Sequence, residues 1–501
     1  MKRDPRALAD GTWDVLVIGG GIHGACVAWD AVLRGLTVSL VEKADFASAT
    51  SANTLKIVHG GLRYLQHGDY RRMRESIGER RALQRIAPPL VRPLPVVVPT
   101  SGHGRRGREI LHVALALNDL ISVDRNAGLD VEHHIPRGRT VSRAECLRLV
   151  PGLQAEGLTG AGIFHDAQVH DSERLVLAFL RSAAKAGAEV ANYAEVTTVR
   201  HDGHGLMRVL VSDRVSGERF AIRARAVVNA SGPWVDEVLG LARPRPRLGT
   251  SFARAFNVVT RRLIATHAVA LPTRDGARLL FVVPWREQSL IGTWYEPHHG
   301  RPGDVRITEG DVACLLQAIN RAWPGPSLGL DDVRLVHRGL LPVIGARLAR
   351  HGRIVDHAHA GFPALFTVVG VKYTTARLMA ERVVQRIVER LGRSALRSAS
   401  AEIALDGTDP TDEVRAHLGA GEDAGDPGAM LRAGVRHAIR TEMAQTLGDV
   451  VFRRTALGTG GDPGPDVLGA AARAAGVELG WRPDRERDEL QQVHGRFGVP
   501  C

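Results

Sequence analysis

The most constraining feature of this sequence is a glycine-rich turn that joins a predicted strand to a predicted helix. Residues 14–18 form a short apolar run without polar alternation, which is typical of a strand buried on both faces. Gly19, Gly21 and Gly24 follow directly, and residues 22–34 show a helical pattern. This order predicts a chain that begins with a buried strand, a tight turn and a helix.

A second strand and an acidic residue indicate what the turn binds. Residues 37–41 are predicted to form the next strand, and Glu42 lies at its end, 18 residues after Gly24. Gly19 permits the tight turn, Gly21 lets the backbone approach a pyrophosphate, and Gly24 allows close packing of the helix on the strand. The helix N-terminus faces the phosphate charge, and a carboxylate at this position accepts hydrogen bonds from the adenosine ribose. The pattern predicts dinucleotide binding rather than a turn without a ligand.

Composition and cysteine content exclude several classes of protein. The chain has 501 residues, of which 44% are hydrophobic and 24% are charged, so intrinsic disorder and fibrous repeats are excluded. The length indicates about three domains at roughly 150 residues each. Four widely spaced cysteines, without a Cys-x-x-Cys pair, exclude a disulfide scaffold and a Cys-rich metal site. With no evident signal peptide or membrane span, we expect a cytoplasmic protein without a metal, and peripheral membrane contact stays open.

The positive charge of the chain does not indicate nucleic-acid binding. Lysine and arginine total 66 against 54 acidic residues, a net charge of +12, yet only five of the basic residues are lysine. The arginines spread along the whole chain, whereas a nucleic-acid site clusters them on one element, so we predict no nucleic-acid partner. The densest stretch, residues 71–108, contains ten arginines. It fits either a solvated helical face or a surface for anionic lipid or an acidic partner.

Three later segments suggest that the chain returns repeatedly to one sheet. Residues 50–64 are small and polar, then contain two glycines, then a cation and an aromatic ring. Such a segment can wrap a cofactor with backbone amides and place Arg63 and Tyr64 beside it. Residues 229–234 and 370–375 each bring glycine directly after a short buried strand.

Several longer strings carry a resemblance to a known family. They are Ile-Gly-Gly-Gly-Ile-His-Gly at 18–24, Ala-Thr-Ser at 49–51, Lys-Ile-Val-His-Gly-Gly-Leu-Arg-Tyr-Leu at 56–65, Glu-Arg at 79–80, Val-Asn-Ala-Ser-Gly-Pro-Trp-Val-Asp at 228–236, Phe-Val-Val-Pro-Trp at 281–285, Ile-Gly-Thr at 291–293 and Lys-Tyr-Thr-Thr at 372–375. With these strings the chain resembles the FAD-dependent glycerol-3-phosphate dehydrogenases, within the larger D-amino-acid-oxidase-like flavoprotein group. Residues 437–457 are similar to that family's helical cap domain, so the resemblance spans nearly the whole chain.

The resemblance implies an α/β (α+β) fold with three parts. These are a Rossmann-like FAD-binding domain, an interwoven antiparallel β-sheet domain that holds the substrate, and a C-terminal helical cap domain. The predicted bounds are 12–90, 160–245 and 350–393 for the FAD-binding domain, 91–159 and 246–349 for the substrate-binding platform, 394–428 for a linker and 429–501 for the helical domain. Predicted helices lie at 71–86, 174–186 and 374–391, and predicted strands at 94–99, 226–229, 365–369 and 278–294, the last interrupted at Pro284-Trp285.

The resemblance also implies which residues surround the ligands. Arg63, Tyr64 and Lys372 correspond to residues that line the family's substrate site. The positions expected around FAD are Gly19, Gly21, Gly24, Glu42, Thr50, Ser51, Lys56, Gly60, Gly61, Ala230, Gly232, Trp234, Gly370, Thr374 and Thr375.

Chemical reasoning assigns catalytic roles to Arg63, Lys372 and His59. Hydride transfer to flavin N5 leaves negative charge near N1 and the C2 carbonyl, which a cation or a helix N-terminus stabilises. Lys372 is one of only five lysines, and residues 370–375 would open a long helix whose positive end points there. A histidine suits the general base of an alcohol oxidation, but a structural histidine bonded to backbone is an equal alternative for His59, and His337 is a second candidate with the same ambiguity.

Two positions depart from the family pattern. Where the family has an arginine that helps to hold the substrate phosphate, this chain has Leu341. Strand alternation gives His337 the same face as Leu341 and puts Arg338 on the opposite face. Phe256 lies in a stretch where the family has a polar Gly-Ser-His turn. We therefore expect either a less anionic or larger substrate, or a phosphate that His337 or Arg338 binds instead.

The function implied by the resemblance is FAD-dependent oxidation of a CH–OH group in glycerol 3-phosphate or a related polyol (phosphate), by hydride transfer to flavin N5. Electrons then pass to a quinone or another acceptor. Two alternatives stay open, namely oxidation of an amine or amino acid, and a flavin-binding subunit without catalysis. The cap domain favours alcohol oxidation over amine oxidation, and the retained Arg63, Tyr64 and Lys372 disfavour a subunit without catalysis. A homodimer and contact with the inner face of the cell membrane also stay open.

Overall fold

The computed structural model describes residues 1–499 apart from 105–106, 203–204, 244, 274–275, 277, 346 and 395. Strands and helices alternate along this part of the chain, as predicted for an α/β protein. The strands are β1 (Thr12–Ile18), β2 (Val38–Val41), β3 (Ile57–Val58), β4 (Val91–Ser101), β5 (Arg139–Ser142), β6 (Leu158–Val169), β7 (Glu189–Ala191), β8 (Ala194–His201), β9 (Met207–Asp213), β10 (Arg219–Asn229), β11 (Ser251–Arg261), β12 (Ala268–Pro272), β13 (Leu279–Trp285), β14 (Gln288–His298), β15 (Val333–Ile344), β16 (Arg347–Leu348), β17 (Arg353–Asp356) and β18 (Leu365–Val369).

The helices are α1 (Ile22–Leu33), α2 (Tyr70–Ile86), α3 (Arg108–Ile121), α4 (Arg143–Leu149), α5 (Ser172–Lys185), α6 (Val235–Leu239), α7 (Glu309–Ala322), α8 (Ala376–Arg390), α9 (Thr411–Arg415), α10 (Pro427–Glu442), α11 (Leu447–Asp449), α12 (Pro465–Leu479) and α13 (Pro483–His494). Helix α8 begins two residues later than predicted, because Thr374 and Thr375 still belong to the turn after β18. Within the described residues, no helix has both the length and the apolar composition needed to cross a membrane.

The first sheet is the predicted parallel sheet. Its strand order is β17-β18-β10-β1-β2-β7, and β8 and β9 extend it from β10. Strands β18, β10, β1, β2 and β7 run parallel, with β17 antiparallel at one edge. Every residue of β2 and β18 is buried, which is the pattern of strands covered on both faces.

Three helices cover one face of this sheet. Helix α1 packs against both α5 and α8, and their apolar sides form a core with β1 and β2. Small buried side chains on α1, including Ala25, Ala28 and Ala31, let these helices approach closely. A buried ion pair between Arg377 of α8 and Glu79 of α2 connects the next helix to this layer.

The second sheet is the predicted antiparallel platform. Its order is β16-β15-β11-β14-β13-β12-β4-β6-β3, and β5 pairs with β6. Helix α7 covers one face with a separate hydrophobic core. The predicted interruption at Pro284-Trp285 is wrong, because β13 continues through Trp285. The break is the two-residue turn Arg286-Glu287, whose φ angles of 47° and 58° suit a tight hairpin.

The C-terminal helices α10 to α13 pack on the second sheet through a third core. They also reach the first sheet through buried ion pairs. Asp45, after β2, contacts both Arg453 and Arg454, and Arg174 of α5 contacts Glu442 of α10. The cap is therefore joined to both sheets.

Two strands pair with the second sheet although the predicted bounds place all or most of each in the FAD-binding domain. β6 pairs with β4 of the second sheet along most of its length, so the bound at residue 160 divides a strand. β3 also pairs with β6, although it lies inside the segment 12–90 predicted for the FAD-binding domain. The remaining bounds stay predictions.

Candidate active site

A cavity of about 1380 Å³ lies where the two sheets and the C-terminal helices meet. The glycine turn after β1 forms one wall, β15 forms a second, and the segment after α13 forms a third. Pockets for small ligands usually enclose about 300–1,000 Å³, so this cavity has room for a dinucleotide together with a substrate.

The glycine turn has the geometry that its sequence predicts. Gly19 has a φ of +112°, and a Cβ at this position would lie 2.7 Å from the Ala230 carbonyl oxygen. A Cβ at Gly24 would collide with the Gly19 carbonyl oxygen, which shows that α1 packs directly on the turn. Gly21 lines the cavity, and the first turn of α1 begins beside it. The helix N-terminus is thus open to an anionic ligand.

Glu42 lies on the cavity wall at the end of β2. Its carboxylate oxygens accept hydrogen bonds from the backbone N–H groups of Gly20 (2.8 Å) and Ala44 (2.9 Å). Burial raises the pKa of Glu42, while these two hydrogen bonds oppose the rise. The side chain is therefore held in place before a ribose reaches it.

Most of the residues predicted around FAD line this cavity. They are Gly19, Gly21, Glu42, Thr50, Ser51, Ala230, Gly232, Trp234 and Gly370. The Ser51 hydroxyl accepts a hydrogen bond from Ile22 N–H (3.0 Å), and the Thr50 hydroxyl accepts one from Leu340 N–H (3.3 Å). The turn, the helix N-terminus, the carboxylate and the volume together fit an FAD molecule.

Lys56 does not line the cavity, which corrects its predicted contact with the cofactor. Its ammonium donates hydrogen bonds to Ala52 O (2.9 Å), Ser172 Oγ (2.8 Å) and Glu173 (2.6 Å). An ammonium has three N–H donors, so all of them are used. Lys56 instead ties the cavity-lining segment before β3 to α5.

Gly60 and Gly61 also lie outside the cavity lining and shape the backbone. Gly60 N–H donates to Asp166 (2.6 Å), and a Cβ at Gly60 would lie 2.5 Å from the Arg80 guanidinium. Gly61 has a φ of +83°, and a Cβ there would lie 2.5 Å from the Tyr64 ring. Both positions require glycine, because the turn presses against neighbouring side chains. Gly24, Thr374 and Thr375 likewise do not line the cavity.

The predicted substrate residues form one cluster around the Tyr64 ring. Lys372, on the cavity wall, places its Nζ 4.1 Å from the ring centre. His59 packs edge-on at 5.9 Å between ring centres. Burial, with a further contribution from the charge of Arg63, lowers the pKa of Lys372 to about 8. The second cation over the ring is Arg72, whose guanidinium carbon lies 4.2 Å from the ring centre. Arg63 is exposed, and Arg63, Tyr64 and His59 lie outside the cavity lining itself.

His59 is a neutral imidazole in this structure. Burial first, and then the positive charge of Lys372 and of nearby arginines, lowers its pKa to about 3. Its Nδ1 has no hydrogen-bond partner among the residues that the structure describes. A general base works best with a pKa near the working pH, so the catalytic role of His59 stays a prediction.

Strand β15 brings His337 and Leu341 to the cavity. His337 pairs with Asn257 and Arg338 pairs with Phe256, so each pair shares one face of the sheet. Phe256 is 2% exposed and packs in the core under α7. Phe256 therefore does not line the cavity, although its departure from the family pattern contributed to the expected change of substrate, and Asn257 of β11 lines the cavity instead. Arg338 borders the cavity but projects from the side of Phe256.

Among the cavity-wall residues that sequence reasoning missed are His23, Asn257 and Arg496. His23 lies inside the glycine motif, so its position carried a signal. Asn257 could have been found from strand alternation, because it follows Phe256 directly. Arg496 carried no local signal among 66 basic residues.

Comparison with known proteins gives two family matches. Residues 14–386 match the family described as FAD dependent oxidoreductase. Residues 371–486 match the C-terminal domain of alpha-glycerophosphate oxidase. Together the two matches cover nearly all of both sheets and most of the cap, and they end before the segment after α13 that forms the third cavity wall.

Relatives and solved structures agree with these matches. A glycerol-3-phosphate dehydrogenase from Synechocystis sp. is 30% identical, covering 98% of this chain and 97% of that protein. Glycerol-3-phosphate dehydrogenase 1 from Mycobacterium bovis is 32% identical over 91% and 93%. The structure of the glycerol-3-phosphate dehydrogenase from Bacillus halodurans with FAD has a TM-score of 0.77 at 23% identity, covering 98% and 95%. L-alpha-glycerophosphate oxidase from Mycoplasma pneumoniae has a TM-score of 0.57 at 19% identity over 79% and 99%.

Proposed function

The chain belongs to the family of FAD-dependent oxidoreductases, and on that premise we propose that it oxidises the secondary alcohol of glycerol 3-phosphate or a closely related polyol phosphate. FAD supplies the chemistry by accepting a hydride. The C-terminal match to alpha-glycerophosphate oxidase supports this substrate class over amines and amino acids, although a glycine oxidase shares the fold.

The observation that carries the proposal is the ammonium of Lys372, which lines the cavity 4.1 Å from the centre of the Tyr64 ring. A polyol phosphate is anionic, so a cation on the cavity wall attracts it and helps to hold its alcohol carbon in place. The same charge stabilises negative charge that develops during the reaction. Lys372 reaches the cavity itself, and its partly buried ammonium acts in a region of low dielectric.

We infer that His59 accepts the hydroxyl proton only when an anionic substrate lies next to it. Three nearby cations, those of Lys372, Arg80 and Arg72, help to lower the pKa of His59 in the substrate-free protein. A bound phosphate would offset this positive charge and raise the pKa towards neutrality. The unpartnered Nδ1 leaves His59 an atom at which to hold the proton.

The test is anaerobic reduction of the protein's own flavin. Purified protein, with its visible flavin spectrum recorded, is mixed with glycerol 3-phosphate, glycerol, 2-hydroxy acids, amines and amino acids. We expect bleaching with glycerol 3-phosphate and little with glycerol, which lacks the anion. Bleaching by an amine but not by any polyol phosphate would refute the proposed substrate class.

We also propose that the protein attaches to the surface of a lipid membrane through α3. Apolar side chains at one-face spacing are open to solvent, namely Ile110 (52% exposed), Val113 (63%), Leu117 (37%) and Leu120 (73%). The arginine-rich α2 lies alongside, because Arg74 donates hydrogen bonds to Ile121 O and to Asp124. An apolar stripe beside arginines is the composition of a helix that lies in a membrane interface.

Membrane attachment would bring the enzyme to a quinone as electron acceptor. Sedimentation with vesicles of zwitterionic or anionic lipid tests the attachment, and Val113→Glu should reduce binding to both. Equal binding of the variant and the wild type would contradict a role for α3.

The described cysteines Cys26, Cys146 and Cys314 are free thiols, which supports placing the protein on the cytoplasmic side. A homodimer stays a prediction, to be checked by light scattering.

A further inference from the structure

Arg496 extends into the cavity from the segment after α13. The backbone there is fixed, because Phe497 pairs with Leu335 of β15. The guanidinium carbon of Arg496 lies 4.0 Å from the centre of the Phe452 ring. The side chain of Arg496 is exposed and lines the cavity. Arg496 is thus a cation that the cap presents to the ligand space.

Arg496 lacks the counter-ion that neighbouring arginines have. Arg453 and Arg454 both bind Asp45, whereas Arg496 forms no ion pair or side-chain hydrogen bond with any residue that the structure describes. Burial, and then the positive charges of Arg453 and Arg338, lower the pKa of Arg496 to about 9. A cation that lines the cavity without a counter-ion is free to bind an anionic ligand, because no existing ion pair has to be broken first.

A second polar group without a partner lies beside it. His337 is 6% exposed and lines the cavity, and its Nδ1 has no hydrogen-bond partner among the described residues. Burial and the charges of Lys56 and Arg496 lower the pKa of His337 well below its usual range. Burial thus favours the neutral imidazole of His337, which can donate one hydrogen bond. Buried polar atoms of this kind are normally satisfied, which points to a ligand here.

We propose that Arg496 and His337 form a binding site for a phosphate group, in which Arg496 provides the charge that Leu341 does not. A guanidinium binds phosphate through two parallel hydrogen bonds, which a nearby imidazole N–H can complete. This assignment deepens the proposed function and rests on it for the identity of the ligand. The turn at Gly21 already offers the FAD diphosphate a helix N-terminus, so the substrate phosphate is the favoured occupant.

The experiment compares FAD-loaded wild type with Arg496→Gln and Arg496→Lys. Arg473→Gln is the matched control, because Arg473 is an exposed arginine of the same cap outside the cavity. Each protein is titrated calorimetrically with inorganic phosphate, and KM for glycerol 3-phosphate is measured in parallel. We expect Arg496→Gln to weaken phosphate binding and raise KM at least tenfold, with Arg496→Lys intermediate and the control within twofold of wild type.

Affinity of the FAD-free proteins for FAD distinguishes the two sources of phosphate. If Arg496→Gln weakens FAD binding tenfold but leaves phosphate binding unchanged, the site exists and holds the cofactor diphosphate. If neither affinity changes, the proposal is overturned. Failure of wild type to be reduced by glycerol 3-phosphate would refute the proposed function alone, because phosphate and FAD binding are measured without turnover. Arg496→Lys keeps the test open should the glutamine variant fail to fold.

Discussion

Lys56→Met removes a buried charge while keeping an unbranched side chain. In the wild type the Lys56 side chain is inaccessible to solvent, and its ammonium lies 2.6 Å from the Glu173 carboxylate. The variant leaves that carboxylate buried without its counter-ion. Removing one partner of a buried ion pair costs about 3–5 kcal/mol of unfolding free energy. We expect a loss of this size if Lys56 holds the backbone rather than the cofactor.

The pH dependence of this loss has a defined sign. Burial alone would raise the pKa of Glu173, but the charge of Lys56 lowers it below its usual value. The ion pair therefore stabilises the fold fully above about pH 4.3, the pKa of an unfolded glutamate, and its contribution fades as the pH falls further. In Lys56→Met the pKa of Glu173 rises instead, so the difference between the two proteins is largest near neutral pH.

Thermal unfolding followed by circular dichroism, with and without FAD, measures the effect. At roughly 1 °C per kcal/mol for a chain of this length, Lys56→Met should lower Tm by about 3–5 °C in both forms. The double variant Lys56→Met, Glu173→Gln should recover part of the loss. Lys185→Met is the control, because Lys185 forms an exposed ion pair worth at most about 1 kcal/mol. A loss confined to the FAD-loaded form would show that Lys56 contacts the cofactor and would refute the structural role.

Three further positions test the cavity. Gly21→Val places a Cβ 3.1 Å from Ser51 Oγ, on the wall expected to hold the diphosphate. The purified protein should therefore lose its flavin absorbance, and full FAD content would contradict this. Lys372→Ala should slow flavin reduction about a hundredfold with FAD still bound, and a wild-type rate would exclude Lys372 from the site. Burial and the charge of Arg63 lower the pKa of Lys372 to about 8, so the ammonium loses its charge as the pH rises through 8. KM for an anionic substrate should therefore rise in that range, and Lys372→Arg should abolish the rise. Leu341→Arg should lower KM for glycerol 3-phosphate about tenfold, and an unchanged KM would show that residue 341 is remote from the phosphate.

The first strand, turn and helix could be predicted from the sequence because their determinants are local. The apolar runs of β1 and β2 and the glycines between them constrain each other over fewer than thirty residues. Gly19 and Gly24 confirm the reasoning, since each occupies a place where a Cβ would meet backbone. Glu42 follows from the same local order.

The direction of Phe256 could not be predicted from a family comparison, because it depends on strand register. Phe256 lies in the core under α7, and the next residue, Asn257, lines the cavity. In a sheet a shift of one residue moves a side chain to the opposite face. The Gly60-Gly61 pair shows the same limit, because the sequence marks the turn but not the Arg80 and Tyr64 side chains that press on it.

The contribution of the cap depends on contacts between distant residues. Asp45 and Arg453 are 408 positions apart in the chain, and no local pattern pairs these two among 54 acidic and 66 basic residues. Asp45 lies three residues after Glu42, whose carboxylate is fixed by the same turn. The cap arginines therefore hold the turn that carries Glu42, the residue expected to bind the ribose, while Arg496 lines the cavity from the same domain. The predicted cap domain thus supplies one wall of the cavity directly and holds in place the turn after β2, which forms part of another wall.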